Sequence, residues 1–283
     1  MTQLDLKKWV LAVLAFLVVL TCGLLLGGYA STYSQQEQQH TLQQQAVTYA
    51  GYIEQSAQNM TAITAELERQ GQNAPKVNGM AVPQWVMASG QAFVQEHPEA
   101  IGVQFMSASG AVGAYSPYTA ILQAPVLQGE LKRLQSEAAG GEDTMRLVGP
   151  VTLPDGKVLL VARATSYAYN NKTQGFDYVG NLFTIWDGAK VLEKAKLGEL
   201  ADGKVEYQLH GNQNNLPLGG VIGESKAELT QMATAPVKVA SGQWLLGVAP
   251  QDGWLQAGIS TVVMGMSVVL GLLSGAAVLY FKK

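Results

Sequence analysis

Arg163 is the residue of this chain whose setting most demands a partner. It follows Leu159, Leu160, Val161 and Ala162, a run that reads as a strand buried in a core. A guanidinium in such a strand has to be paired, because an isolated buried charge is too costly to keep. Two kinds of partner fit: an acid of the same domain, Asp187 or Glu206, or an anionic ligand. Tyr115, Tyr167, Tyr169, Tyr178 and Trp186 occupy strand positions nearby in the pattern. They suit a ligand pocket with an apolar lining and a few polar anchors, and they suit a core equally well. The candidate ligand-binding set is therefore Arg163, Tyr115, Tyr167, Tyr178, Trp186 and Asp187.

Other chemistry is poorly provided for. The three histidines, His40, His97 and His210, are scattered, and Cys22 is the only cysteine. No pair has the spacing of zinc ligands. The serine-nucleophile, metalloprotease and nucleotide-binding loop motifs are all missing. The expectation is a protein that is not an enzyme and has no metal site and no cofactor.

The elements that position these residues follow from periodicity. Between Ser34 and Arg69 there is no proline and one glycine, Gly51. Leu42, Ala46, Tyr49, Ile53, Ala57, Met60, Ile63 and Leu67 recur at steps of three and four, which predicts a stalk helix over 34–70. The start of that helix is rich in glutamine, consistent with a solvated face or with the seam of a parallel dimer. Helices are also expected over 83–96, 119–138 and 189–196. Strands are expected at 101–106, 111–115, 145–153, 158–166, 178–186, 205–209 and 237–248, the last with an internal turn at Ser241-Gly242. Pro154-Asp155-Gly156-Lys157 is a turn signal, since proline presets one φ angle and glycine accepts a positive one. A long helix followed by hairpins and a strand meander is an α+β order built on an antiparallel sheet.

Charged residues make up only 14% of the 283, against about 25% in ordinary soluble domains. Two uncharged runs, Trp9–Gly28 and Leu255–Phe281, explain the deficit, and each is long enough for a membrane-spanning helix. Lys7 and Lys8 precede the first and Lys282 and Lys283 follow the second. Basic residues at span ends stay in the cytoplasm. The expected layout is a cytoplasmic start (1–8), a first span (9–29), an extracytoplasmic domain (30–254), a second span (255–281) and a cytoplasmic end (282–283). The setting is a bacterial inner membrane, with the domain in the periplasm or outside the cell. Gly28-Tyr29-Ala30 resembles a signal-peptidase site, but the apolar run exceeds the usual signal length and favours an uncleaved anchor. Gly23 and Gly27, and Gly271 and Gly275, put small residues four apart in the two spans, the spacing that lets helices pack closely in lipid. Without the span-flanking charges, the domain holds 14 basic and 20 acidic residues, and no basic run suggests nucleic acid.

The stretch Arg146-Leu147-Val148-Gly149-Pro150-Val151, then Leu159 to Ala164 with Arg163, then Tyr178-Val179-Gly180 leading to Trp186-Asp187 and Val191-Leu192, resembles CHASE-type sensor domains. A double-PAS (Cache) sensor is the near alternative. The likeness covers Arg146 to Lys196, and it departs from the pattern at Ala164-Thr165 and at Val179. It implies a PAS-like extracytoplasmic sensor between two transmembrane helices that binds a small ligand or a periplasmic protein. Its expected partners are the bilayer, a second copy through stalk and spans, and a signalling protein. Because the chain stops at Lys283, the output is expected in that separate membrane or cytoplasmic protein. The alternative is a scaffold or assembly subunit of an envelope complex; a receptor shortened from a longer ancestor is a third reading.

Overall fold

A 70-residue helix, α1 (Gln3–Gln72), leads the chain, and no proline stands before Pro75 to interrupt it. The structure is a computed structural model. It describes residues 3–72, 76–77, 80–81, 83–110, 112–139, 145–202, 204–211, 221–222, 232–240, 242–251, 265–270 and 272–273. The chain divides into two units, Met1–Leu42 with Asp252–Lys283, and Gln43–Gln251.

The larger unit carries two main antiparallel sheets. After the short hairpin β1 (Lys76–Val77) and β2 (Met80–Ala81) comes α2 (Pro83–Glu96). Then follow β3 (Ala100–Ser107), β4 (Val112–Tyr115), α3 (Thr119–Leu122), α4 (Pro125–Ala139), β5 (Arg146–Thr152), β6 (Val158–Asn170) and β7 (Gly175–Asp187). These five strands form one sheet in the order β4-β3-β7-β6-β5. After α5 (Gly188–Lys194) and α6 (Gly198–Asp202), the strands β8 (Val205–His210), β9 (Val221–Ile222), β10 (Ala233–Val239) and β11 (Gly242–Pro250) form the second sheet, β10-β11-β8-β9. The fold is therefore a mixture of helices and antiparallel sheet.

Three features depart from the sequence pattern. The helix expected over 119–138 is two helices, because Pro125 has no N–H to continue α3 and instead starts α4. The helix expected over 189–196 stops at Lys194, where Lys196 turns left-handed and α6 begins anew. The β6–β7 hairpin is longer at its tip than the pattern suggested.

Each face of the five-stranded sheet is covered by helices. On one face Leu127, Leu131 and Leu134 of α4 meet Val148, Val151, Leu159, Val161, Phe183 and Ile185. On the other lie α1 and α2. Along α1 the buried positions Ala46, Ala50, Ile53, Ala57, Met60, Thr64 and Leu67 alternate in steps of four and three, a stripe that faces its own domain. Gln43 Nε2 donates to the Thr234 carbonyl of β10 at 2.8 Å, so the helix also touches the second sheet. The two sheets approach where a Cβ on Gly211 would overlap the Gly149 carbonyl.

In the smaller unit, Val10, Val13, Leu14, Leu17, Val18 and Leu25 of α1 are exposed, as are Met266, Val269, Leu270, Leu272 and Leu273. A Cβ on Gly23 would overlap Ser267 Oγ, so the two helices of this unit touch at a position that only glycine fits. Gly27 lies within α1, while Gly271 and Gly275 lie outside the described residues. The run Trp9–Gly28 is part of α1, but its side chains are described only in part. Among the described residues, no helix is long and apolar enough to cross a membrane.

Candidate ligand site on the five-stranded sheet

Arg163 is fully buried, in the middle of β6. Its Nη1 donates to the Leu134 carbonyl of α4 at 2.7 Å. Burial first, and then the guanidinium of Arg146, hold Arg163 below the ordinary arginine value. Arg146 is its direct partner across β5 and β6. Like charges placed opposite one another in a sheet repel, so this pair concentrates positive potential at one place on the α4-covered face. The acid whose charge reaches Arg163 is Glu137 of α4. Asp187 is not that acid. It caps α5, accepting from Ala189 N (3.1 Å) and Lys190 N (3.4 Å), and pairs with Lys157 at 3.0 Å. Glu206 stands on β8 in the second sheet.

The next residues along the same face continue the polar character. Thr165 of β6 and Asn181 of β7 are cross-strand partners. Thr165 Oγ1 and the fully buried Asn181 Oδ1 have no hydrogen-bond partner among the described residues. Buried polar atoms are nearly always satisfied, so these two in register beside a buried cation make this cluster the candidate site. Asn181 Nδ2 donates to Tyr178 Oη at 2.6 Å, and Tyr178 packs edge-on against Tyr167 with ring centres 6.2 Å apart. Burial pushes the Tyr178 phenol up, so it stays neutral as a donor and acceptor. The cluster can bind a small anion through its guanidinium and a hydrogen-bond donor through Asn181 Oδ1. Nothing in it is arranged as a nucleophile with a base, and among the described residues no group of histidine, cysteine, aspartate and glutamate could hold a metal.

Of the six candidate residues, then, Arg163, Tyr167 and Tyr178 come together. Tyr115 sits on the opposite face, with its Cβ against Gly90 of α2, and Asp187 is at the far end of β7. Trp186 also faces the other way, edge-on to Phe93 at 5.2 Å. Its Nε1 donates to Thr184 Oγ1 at 2.8 Å. Thr184 Oγ1 lies 2.6 Å from Thr64 Oγ1, which itself donates to the Met60 carbonyl at 2.7 Å. The Thr64 proton being used, the donor order runs Trp186, Thr184, Thr64, Met60. This buried chain fastens β7 to α1. Alternation alone would put Tyr178 and Trp186 on one face, but β7 has an extra residue at Val179, where the register with β6 shifts. A Cβ on Gly180, beside it, would overlap the Met106 carbonyl. Arg146, Thr165 and Asn181 were missed from sequence. Arg146 was not readable as the partner of Arg163, because the register of β5 and β6 shifts between Val148 and Val151.

No family model and no curated protein matches the chain. Solved structures of similar outline are extracellular or periplasmic sensor domains. One is the ligand-binding domain of the amino-acid chemoreceptor PctC of Pseudomonas aeruginosa PAO1, in complex with GABA: 12% identity, 75% of this chain and 98% of that one covered, TM-score 0.48. Another is described as the extracellular domain of a histidine kinase, soHK1S-Z6: 8% identity, 78% and 97% covered, TM-score 0.49. The periplasmic domain of Vibrio cholerae LuxQ follows at 14% identity, 72% and 99% covered, TM-score 0.36. Likeness of this degree carries nothing about ligand or output, which rest on the residues above.

Proposed function

We propose that this chain is a membrane-anchored sensory input subunit. It binds a small carboxylate-bearing molecule beside Arg163 and passes the change through α1 to a separate output protein. The observation that carries the reading is the buried pair Thr165 Oγ1 and Asn181 Oδ1, unsatisfied and in register next to a buried guanidinium. A ligand with an N–H or O–H donor satisfies the two oxygens, and an anionic group on it lies beside the guanidinium. β7 presents Asn181 to that site and Thr184 to α1, so a shift of the strand reaches the helix directly. The ligand biases this shift only by the difference in its affinity for the two positions of the strand.

The membrane anchoring is supported by the exposed valines and leucines of the smaller unit, a large apolar surface that needs a cover of lipid or protein. It is supported also by the uncharged runs bounded by lysines. In this reading the termini are cytoplasmic, residues 30–254 lie outside the cytoplasm, and a second copy packs along stalk and spans. Extraction of the tagged chain from its native membrane in mild detergent, with mass spectrometry of what copurifies, tests the assignment. A kinase, cyclase or chemotaxis-type protein in fixed ratio is the expected result. Structural envelope components without a signalling enzyme would contradict it.

The second reading, a scaffold subunit, draws on the tip of the β6–β7 hairpin. There Tyr169 and Phe176 stack at 5.5 Å while 56% and 72% exposed, as anchors for another protein would be. Tyr169→Ser with Phe176→Ser abolishes copurification in that case and leaves it intact in the sensory one.

A further inference from the structure

We propose that the cleft between α1 and the α5 end of β7 is a second ligand site, one that takes a small aromatic carboxylate. It lies on the sheet face opposite Arg163 and shares no residue with that cluster. Its volume of about 440 Å³ is within the range of small-molecule pockets.

One wall is three turns of α1. Tyr52, Gln55, Ser56 and Asn59 recur at helical spacing and line the cleft. Gln55 and Asn59 are exposed and line the open side of the cleft. They offer amide donors and acceptors at the rim. The floor is apolar: Met60 and Trp186, both buried, with Val191 of α5. A thioether and an indole are good company for an aromatic ring.

The opposite wall carries the charge. Lys194, Lys196 and Glu99 line it, and Lys194 Nζ holds the Glu99 carboxylate at 2.7 Å. The remaining neighbour of Lys196 is Glu199, at 3.7 Å with both side chains 60% exposed. Solvent screens such a contact, so it competes weakly with an incoming anion. Lys196 also has an unusual backbone. Its φ is 61°, and its N–H bonds Glu193 O at 2.8 Å while Leu197 N bonds Leu192 O at 3.1 Å. This left-handed position after a helix normally belongs to glycine. A lysine held there against its preference points to use of its side chain, since strained residues gather where function requires them. A ring in this cleft with its carboxylate at Lys196 would bridge α5 to α1 and brace the helix against the sheet.

The test is calorimetric titration of the full chain in lipid nanodiscs with phenylacetate and with indole-3-acetate. Wild type is compared with Lys196→Gln, Asn59→Trp and Arg163→Ala, each checked by circular dichroism for retained fold. At least one probe should bind saturably to wild type. Affinity should fall about tenfold in Lys196→Gln, which is 1.4 kcal/mol. Binding should vanish in Asn59→Trp, where the indole fills the cleft, and persist in Arg163→Ala. Three results would overturn the site: no saturable binding of either probe, binding indifferent to both cleft variants, or binding lost only with Arg163. The last would move the probe to the Arg163 cluster. Lys196 is exposed, so its variant reports even where the tryptophan variant fails to fold.

Discussion

Arg163 carries its charge where water does not reach, beside a second guanidinium. Burying a charge is costly, and hydrogen bonds to neutral groups such as the Leu134 carbonyl return only part of the cost. An arginine kept for a ligand rather than for stability is replaceable by an apolar side chain of similar length without loss of stability. Arg163→Met is therefore expected to leave the melting temperature unchanged or raise it, while abolishing ligand binding. Thermal denaturation of the full chain checks the first part. A fall of about 3 kcal/mol, the usual result of breaking a buried pair, would make the arginine a structural residue. The sequence exposed Arg163 plainly, as a cation in an apolar strand. It did not expose Asn181, because one polar residue in a strand gives no hint of its facing direction once a bulge intervenes.

The elements show how a ligand-driven change could travel. β7 is the middle strand, and its alternation shares it between the candidate site and α1. Thr64→Val keeps the shape of the side chain but removes the acceptor for Thr184. The variant should lose about 1–3 kcal/mol of stability and keep ligand affinity. It should also weaken the ligand's effect on hydrogen exchange in α1. Unchanged exchange coupling would mean that the threonine chain is packing alone. α5 is tied down differently, by Asp187 at its start and by the Lys194–Glu99 pair. Burial alone would raise the Glu99 carboxyl, but the hydrogen bond from Lys194, with backbone and charge contributions, leaves it below its ordinary 4.5. Its contribution to stability is thus complete above pH 4.5 and is lost as pH falls through the lowered folded value. Glu99→Gln should lower the melting temperature at neutral pH and flatten its decline on the acid side of pH 4.5. Most of these elements were legible, because long helices and the Pro-Asp-Gly hairpin have strong local signals. The break at Pro125 was readable too, from proline's missing N–H. The bulge at Val179 was not, since register there is decided by the contact of Gly180 with the Met106 carbonyl on the neighbouring strand.

At the scale of the whole molecule, the chain holds, in addition to the sensor domain, a smaller unit with two helices proposed to lie in lipid. Gly23 and Ser267 are where those helices touch. Gly23→Ala should lower the melting temperature in detergent by about 2–4 °C, and Ser267→Gly in the same chain should restore part of it. Absence of rescue would place the cost elsewhere. The paired small residues in the two runs were visible in the sequence, though not which of them meets which, because that depends on the relative height of two separate segments. The central claim is that a small carboxylate is sensed at Arg163. Its most direct test is calorimetric titration of the full chain in nanodiscs with amino acids and short dicarboxylates, wild type against Arg163→Ala. The account predicts saturable binding of at least one compound to wild type and a loss of about a hundredfold or more, near 2.7 kcal/mol, in the variant. No binding by any compound, or equal binding by both proteins, would contradict it.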